Sequence, residues 1–127
     1  SLKVLQGITV DTIRLREFLA SLGIDLLYAF TMETLDSNAS IHSRAFAPEL
    51  GITEDPATGS AAGAVGAYLS LNNLISENEC KNILIEQGHN ISRPSTLFVC
   101  IEQMEGEIKS VKVGGHSVTV IQGSFSV

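Results

Sequence analysis

The sequence predicts an α+β fold in which a β-sheet curls around one central helix. Runs of β-branched and aliphatic residues, which are typical of strands, dominate both ends of the chain. A single stretch in the middle, Ala61 to Leu71, is almost wholly small or apolar and carries no charge, so a helix there is expected to be buried on all sides. Because no repeat, low-complexity segment or linker divides the 127 residues, we expect one domain.

The N-terminal third is predicted to contain one helix and two strands. Asp11 is a suitable N-cap for the helix, and Gly23 is expected to end it at the C′ position. Ile24 to Met32 is predicted to be the first strand and Ser40 to Phe46 the second, with a turn at Asp36-Ser37-Asn38 between them. The apolar face of the helix consists of Leu15, Phe18, Leu19 and Leu22.

The C-terminal half is predicted to be mostly strand. Ser76 and Glu79 have the spacing of a capping box, which indicates a short helix. Ile83 to Glu86 follows as a strand, and the Gly, Asn and Pro content of Gln87 to Ser95 indicates a loop. Three further strands are predicted at Thr96 to Gln103, Glu107 to Val113 and His116 to Ser124, with a turn at Met104-Glu105-Gly106 and a hairpin or bulge at Gly114-Gly115.

The candidate functional site is the start of the central helix, in the stretch EDPATGSA. Pro56 has its φ pre-set for the first helical position, which places Asp55 at the N-cap. Free amides and the helix dipole attract anions at such a position, so a carboxylate or phosphate is the expected ligand. The first turn offers hydroxyls or unobstructed amides at Thr58, Gly59, Ser60 and Ala61.

The glycines of the central helix are interpreted as packing residues. Gly63 and Gly66 each cost about 1 kcal/mol relative to alanine in a helix interior, which requires a compensating reason such as close approach of other backbone. A nucleotide-binding loop is disfavoured because neither GxGxxG nor a Walker lysine is present.

Several alternatives remain open at this site. Asp55 is either a catalytic carboxylate or an ordinary helix cap, and Glu54 beside it is expected to be solvated. Thr58 and Ser60 either orient an acid substrate or hydrogen-bond the first helical turn. Ser60 is disfavoured as a nucleophile because GxSxG is absent and no histidine lies at a recognisable partner spacing.

The remaining polar residues are interpreted as structural. His42, His89 and His116 lack the clustered spacing of a metal site and are expected on the surface or in loops. Arg44 and Arg93 are expected to pair with the chain's own carboxylates, with an anionic ligand as the alternative.

Composition excludes several classes of partner. The net charge of −6 and the scattered Lys and Arg residues argue against nucleic acid or an anionic membrane. The longest apolar run is too short to span a bilayer, and no signal-peptide pattern opens the chain, so the cytoplasm is the expected location. Cys80 and Cys100 have no metal or CxxC spacing and are expected to be free thiols.

Four ordered motifs resemble the second half of phenazine biosynthesis PhzF-like proteins: SRAFAPELGI, EDPATGSAAGAVGAYL, EQGHNISRPS and VKVGGHSVTVIQG. The resemblance extends from Ile24 to the C-terminus. These proteins belong with diaminopimelate epimerase and proline racemase, in which two similar halves each wrap a sheet around a central helix and the active site lies between them. The resemblance therefore implies a diaminopimelate epimerase-like half, with a mixed sheet or barrel around the apolar helix.

The resemblance also implies isomerase chemistry by acid–base proton transfer on a small carboxylic acid, without a cofactor or a metal. The family's aspartate falls on Asp55, and its neighbouring serine falls on Ser60, which with the amides of Gly59 and Ala61 would bind the substrate. Epimerase relatives use a cysteine near this turn, and neither cysteine of this chain is there, so the acid-based PhzF-like branch fits better.

The family's first half supplies a glutamate and a GHPT-like histidine motif to the opposite wall, and these residues have no counterpart here. Residues 1–127 are therefore expected to be the C-terminal half of a two-domain protein, whether as an expressed piece, a proteolytic fragment or a split gene product; a start at Ser1 fits this. Little activity is expected from the chain alone, because proton transfer needs groups on both sides of the carbon.

The missing half is the expected partner, and the face that it would cover is expected to drive self-association, for example as a dimer. The alternative function is a non-catalytic module that binds small anions or a partner protein, and a third possibility is a structural half that pairs with a separate polypeptide. The substrate and pathway remain open.

Overall fold

The computed structural model describes residues 1–126. These residues form three α-helices and six strands, joined by loops that include three short 3-10 turns. The helices are α1 (Leu2–Gln6), α2 (Thr12–Leu22) and α3 (Gly59–Leu71). The strands are β1 (Leu27–Thr31), β2 (Ile41–Ala47), β3 (Ile52–Asp55), β4 (Ile83–Gln87), β5 (Ser95–Met104) and β6 (Glu107–Gly115). The 3-10 turns are Pro48–Leu50, Glu79–Lys81 and His89–Ile91.

One mixed sheet contains all six described strands. Its order is β1-β2-β4-β5-β6, and β3 also pairs with β2. The pairing of β2 with β4 is parallel, and the other four pairings are antiparallel. The sheet curls as a half-barrel around α3, which confirms the predicted α+β class. The core between them contains Ile41, Ala62, Val65, Leu69, Cys80, Ile83, Ile85, Leu97, Val99 and Ile101.

The glycines of α3 lie where the helix approaches the sheet most closely. A Cβ atom on Gly66 would lie 2.7 Å from Cγ1 of Val99, and one on Gly63 would lie 3.2 Å from methyl groups of Val111 and Val113. Cβ contacts under 3.0 Å are essentially never seen, so a larger residue at position 66 would require Val99 or the helix to shift. The prediction that these glycines serve close packing is confirmed.

The prediction that α3 is buried on all sides is wrong. The sheet covers only one side of the helix, where Ala62, Val65 and Leu69 are buried. On the opposite side, Tyr68 is 51% exposed and Leu71 is 56% exposed. A half-barrel leaves one face of its helix uncovered, so the sequence of α3 has more apolar surface than this chain alone can bury.

The helix predicted after Asp11 is confirmed as α2. Asp11 accepts hydrogen bonds from the amides of Ile13 and Arg14, and Gly23 ends the helix with a left-handed φ of 67°. Of its predicted apolar face only Leu19 is fully buried, since Phe18 and Leu22 are more than half exposed.

The strand-like composition of the first ten residues does not produce a strand. Residues Leu2–Gln6 form α1, whose Ser1 side chain accepts a hydrogen bond from the amide of Val4. The carbonyl groups of Leu5 and Ile8 accept hydrogen bonds from Arg44 of β2, which attach this segment to the sheet.

The C-terminal end differs from the prediction. The turn at Glu105 and Gly106 is confirmed, with φ values of 54° and 80°. The glycine pair 114–115 ends β6 and is neither a hairpin nor a bulge, and residues 116–126 have no helix or strand. Val118, Val120 and Ile121 are each more than 80% exposed, so this segment buries neither face. A strand needs a neighbour for its backbone hydrogen bonds, and nothing within residues 1–126 pairs with this segment.

Across residues 1–126, every helix is too short or too polar to traverse a lipid bilayer.

Candidate active site

Asp55 is the last residue of β3 and lies opposite Ala45 of β2. The helix α3 begins at Gly59, so Thr58 occupies the N-cap position and makes no side-chain capping bond. The predicted N-cap role of Asp55 and the predicted helical position of Pro56 are therefore wrong. The physical reason is that the backbone of Asp55 is held in the sheet, and three residues are needed to cross from β3 to α3.

One oxygen of the Asp55 carboxylate is held by its neighbour. The hydroxyl of Thr58 donates to Oδ2 of Asp55 at 2.6 Å. The other oxygen, Oδ1, makes no hydrogen bond within the part of the chain that the structure describes. The residue is half-buried. The carboxylate is thus oriented by the protein while one oxygen remains available.

The start of α3 carries free donors beside this carboxylate. The first helical hydrogen bond runs from the amide of Ala62 to the carbonyl of Thr58 at 2.9 Å. The amides of Gly59, Ser60 and Ala61 have no acceptor among residues 1–126. The side chain of Ser60 is exposed and likewise unpaired there. Three free amides at the positive end of a 13-residue helix suit an anion such as a carboxylate.

A cavity of about 590 Å³ opens next to this turn. It lies between the beginning of α3 and the end of β6, and of the predicted site residues only Gly59 lines it, whereas Asp55, Ser60 and Ala61 do not. His116 also lines the cavity, with its ring edge-on to Phe98 at a centroid distance of 5.1 Å. The lining includes Ala57, Gly59, Thr96, Leu97, Gly115 and His116.

Gln87 is the residue of this region that sequence reasoning missed. It was predicted to begin a loop, but it ends β4 and is fully buried. Its side chain donates to the carbonyl of Asp55 at 2.7 Å and to the hydroxyl of Thr58 at 2.9 Å. The available signal was the two-residue alternation with Ile83 and Ile85, which places Gln87 on the buried face of the strand.

Glu54 is not solvated, contrary to the prediction. Both of its carboxylate oxygens accept from Arg44, at 3.0 and 2.7 Å, and both side chains are more than 90% buried. Arg44 also donates to the carbonyls of Leu5 and Ile8. The prediction of self-pairing is confirmed for Arg44, whereas Arg93 is exposed and has no ion pair within residues 1–126.

His42 is fully buried in β2, so its predicted surface position is wrong. Its Nδ1 lies 2.8 Å from Oε2 of Glu86. Burial acts to raise the pKa of Glu86, but hydrogen bonds from the amides of Leu35 and Asp36 and from His42 outweigh it and hold that pKa below the usual range. The ring of His89 lies 5.1 Å from that of His42.

The other candidate groups lie away from Asp55. Cys80 is buried and donates to Ser70 at 3.1 Å, and Cys100 is half-buried; both are free thiols, as predicted. Residues 1–126 contain no cluster of three or more His, Cys, Asp or Glu side chains that could hold a metal ion.

Comparison with protein families gives one clear match. The model of the phenazine biosynthesis-like protein family matches residues 3–123. Among solved structures, the chain resembles the Bacillus anthracis phenazine biosynthesis protein of the PhzF family, with a TM-score of 0.65 and 20% identity over 92% of this chain and 43% of that one. At this identity the structural likeness supports the fold.

Several of the curated relatives are named as isomerases. An uncharacterized isomerase of Deinococcus radiodurans is 35% identical over 121 residues, which are 94% of this chain and 38% of the relative. An uncharacterized isomerase of Clostridium acetobutylicum is 36% identical over 99 residues, which are 77% of this chain and 33% of the relative. The trans-2,3-dihydro-3-hydroxyanthranilate isomerase of Pseudomonas chlororaphis is 39% identical over 83 residues, which are 65% of this chain and 29% of that enzyme.

The chain thus spans about a third of the length of the curated relatives that it matches. The family match covers nearly all of the described fold, including β3, α3 and the turn between them. We conclude that this chain belongs to the phenazine biosynthesis-like, or PhzF-like, isomerase family.

Proposed function

We propose that this chain forms one wall of an isomerase active site, in which Asp55 transfers a proton at a carbon atom of a small carboxylic acid. One observation supports this most directly. The Asp55 carboxylate is oriented by Thr58 through one oxygen, and three residues separate Asp55 from a helix whose first three amides are free. A proton-transfer group and an anion-binding group are thereby joined by three residues of chain.

Each part of the site has a distinct role in this proposal. The amides of Gly59, Ser60 and Ala61, with the Ser60 hydroxyl, bind the substrate carboxylate and so set the position of the reacting carbon. Asp55 Oδ1, the oxygen without a protein partner, takes the proton from carbon or returns it. Proton transfer of this kind needs no cofactor, which is part of the proposal.

A cyclic carboxylic acid is the first substrate class to test. The relative from Pseudomonas chlororaphis is named for its action on trans-2,3-dihydro-3-hydroxyanthranilate, which carries a carboxylate. The cavity of about 590 Å³ beside Gly59 has room for a single ring. The fold does not determine which acid of this class is the substrate.

The second wall is proposed to come from a part of the protein outside this chain, since the chain spans about a third of its relatives. Two exposed apolar surfaces support such a partner. One is residues 116–126, where Val118 and Ile121 are more than 80% exposed, and the other is the open side of α3 at Tyr68 and Leu71. In the isolated chain these surfaces are expected to drive self-association.

The cytoplasmic location predicted from the sequence is also part of this proposal. The two cysteines, Cys80 and Cys100, are free, which is typical of proteins in reducing compartments.

Solvent deuterium incorporation tests the proposed activity. The isolated chain is compared with a hybrid in which it replaces the matching segment of the Pseudomonas chlororaphis isomerase, with trans-2,3-dihydro-3-hydroxyanthranilate as the probe. We expect substrate-dependent exchange at carbon in the hybrid and none in the isolated chain. Exchange by the isolated chain would contradict the need for a second wall.

Asp55→Asn in the hybrid tests the assignment of the residue. Loss of exchange with intact binding of the probe, measured by calorimetry, supports the acid–base role. Binding without exchange in both the unsubstituted hybrid and the Asp55→Asn form would instead favour the non-catalytic anion-binding module.

Light scattering on the isolated chain tests self-association, and a strictly monomeric species at high concentration would contradict it.

A further inference from the structure

Gln87 is a fully buried side chain whose hydrogen bonds all lie within the chain, and three of the four involve the Asp55–Thr58 turn. Its Nε2 donates to the carbonyl of Asp55 and to Oγ1 of Thr58. Its Oε1 accepts from the amide of Thr58 at 3.3 Å and from the hydroxyl of Tyr28 at 3.2 Å. A carboxamide has two N–H donors and two lone pairs, so all four are used.

These partners determine which way the carboxamide points. The amide of Thr58 can only donate, and the carbonyl of Asp55 can only accept, so Oε1 must face the first and Nε2 the second. Nε2 therefore also donates to the Thr58 hydroxyl oxygen. The hydroxyl proton is then directed away from Gln87 and toward Oδ2 of Asp55, 2.6 Å away.

The far end of this chain of hydrogen bonds is anchored in the sheet. Oγ of Ser43 on β2 lies 2.9 Å from the hydroxyl oxygen of Tyr28 on β1 and 2.9 Å from the carbonyl oxygen of Glu86 on β4. When Tyr28 donates to Gln87, the single hydroxyl proton of Ser43 can bridge one of these two contacts at a time. Burial raises the pKa of Tyr28 to about 12, although its hydrogen bond with Ser43 acts in the opposite direction. The phenol consequently keeps its proton at neutral pH and remains a donor.

We propose that Gln87 is a positioning residue for proton transfer at Asp55 and acts through the hydroxyl of Thr58. This proposal rests on the proposed function of Asp55. Gln87 orients the Thr58 hydroxyl, the hydroxyl holds Oδ2, and Oδ1 is left as the oxygen that exchanges a proton with the substrate. Without Gln87 the hydroxyl can rotate, and the carboxylate loses its orientation.

Substitutions in the hybrid enzyme test this directly. Because misplacement of a reacting group costs up to about 100-fold in rate, Thr58→Val and Gln87→Leu are each expected to lower kcat about 10- to 100-fold with KM nearly unchanged. Thr58→Ser, which retains the hydroxyl, is expected to restore most of kcat. Ser70→Ala removes a buried hydroxyl far from Asp55 and serves as the matched control, with kcat unchanged.

The double variant Gln87→Leu/Thr58→Val separates positioning from general stability. If Gln87 acts through Thr58, the double variant loses no more kcat than Thr58→Val alone. If instead the fold-losses of kcat from the two single substitutions multiply in the double variant, the proposal is overturned. Gln87→Met is a second variant of similar length in case Gln87→Leu does not fold, and thermal unfolding of each variant reports folding.

Two further results distinguish this proposal from the proposed function. If Asp55→Asn leaves exchange intact, the role of Asp55 is wrong. If Asp55→Asn abolishes exchange while Thr58→Val and Gln87→Leu keep kcat within about twofold, only the positioning role is wrong.

The isolated 127-residue chain gives an activity-independent test by NMR. Slow solvent exchange is expected for the Gln87 carboxamide protons, with faster exchange in Thr58→Val. Fast exchange in the unsubstituted chain would overturn the hydrogen-bond geometry.

Discussion

The two faces of strands β2 and β4 carry polar groups of different kinds. On the inner face, toward α3, the neutral side chains of Ser43 and Gln87 lie side by side in the parallel pairing. On the outer face, the adjacent positions carry His42, Arg44 and Glu86, and these form charged or charge-assisted pairs. The residues with the most evident chemistry are thus on the face away from the proposed site.

This difference shows how the fold divides its polar residues between structure and function. The ionic pairs of the outer face attach the N-terminal segment and the loop around Asp36 to the sheet. The neutral network of the inner face orients one carboxylate, Asp55, without neutralising it. We therefore expect substitutions on the outer face to affect mainly stability and those on the inner face mainly catalysis.

The largest effect is expected from breaking the buried pair of Arg44 and Glu54. Glu54→Leu leaves a buried guanidinium without its carboxylate, so the free energy of unfolding should fall by about 3–5 kcal/mol, as measured by urea unfolding. The double variant Arg44→Met/Glu54→Leu should cost less than the sum of the single variants. Glu49→Gln, at the exposed pair with Arg16, is the control and should cost about 0.5 kcal/mol or less.

A smaller effect is expected where the inner face packs against α3. Gly66→Ala places a methyl group within 2.7 Å of Val99 Cγ1, so the overpacking should cost about 2 kcal/mol even though alanine favours the helix. Adding Val99→Ala removes the clashing methyl group, and the Gly66→Ala substitution should then cost less in that background. Equal costs of Gly66→Ala with and without Val99 would contradict the close-packing explanation.

Glu86→Gln is expected to lower the free energy of unfolding by about 1.5 kcal/mol at neutral pH, because the substitution replaces a buried charged acceptor with a neutral one and weakens its hydrogen bonds. The pKa of Glu86 is lowered in the folded chain, so its contribution is present above its unfolded pKa and is lost as pH falls through the folded value. The stability difference from the unsubstituted chain should therefore shrink on acidification. Exposed Glu17→Gln is the control, and a difference for Glu86→Gln that does not change with pH would contradict this account.

The smallest effect on stability is expected at the proposed catalytic residue. Asp55→Asn keeps an oxygen that can accept from Thr58, so the free energy of unfolding should change by about 0.5 kcal/mol or less. In the hybrid enzyme the same change should lower the exchange rate by at least about 100-fold, because the proton acceptor is lost. Comparable losses of stability and activity would indicate a structural residue and would remove the contrast between the two faces.

Local patterns predicted α2, α3 and most of the strands, but not α1 or β3, and the strand predicted at His116 to Ser124 does not form. The helix from Asp11 to Gly23, the reciprocal bonds of Ser76 and Glu79, and the turn at Glu105-Gly106 follow from capping and turn chemistry within a few residues. The start of α3 and the surroundings of Glu54 were predicted incorrectly, because both depend on partners from other strands: Gln87 of β4 contacts Thr58, and Arg44 of β2 pairs with Glu54. Local sequence contains no information about such partners.

The sequence by itself determined the α+β class, the packing role of Gly63 and Gly66, and the family, since these depend on periodicity, residue size and ordered motifs. It also singled out Asp55 and the turn at Gly59–Ala61. Only the tertiary structure revealed that Asp55 ends a strand and that Gln87 orients its neighbour Thr58. Hydrogen bonds between residues about thirty positions apart exist only once the chain has folded, so the organisation of the site is a property of the fold.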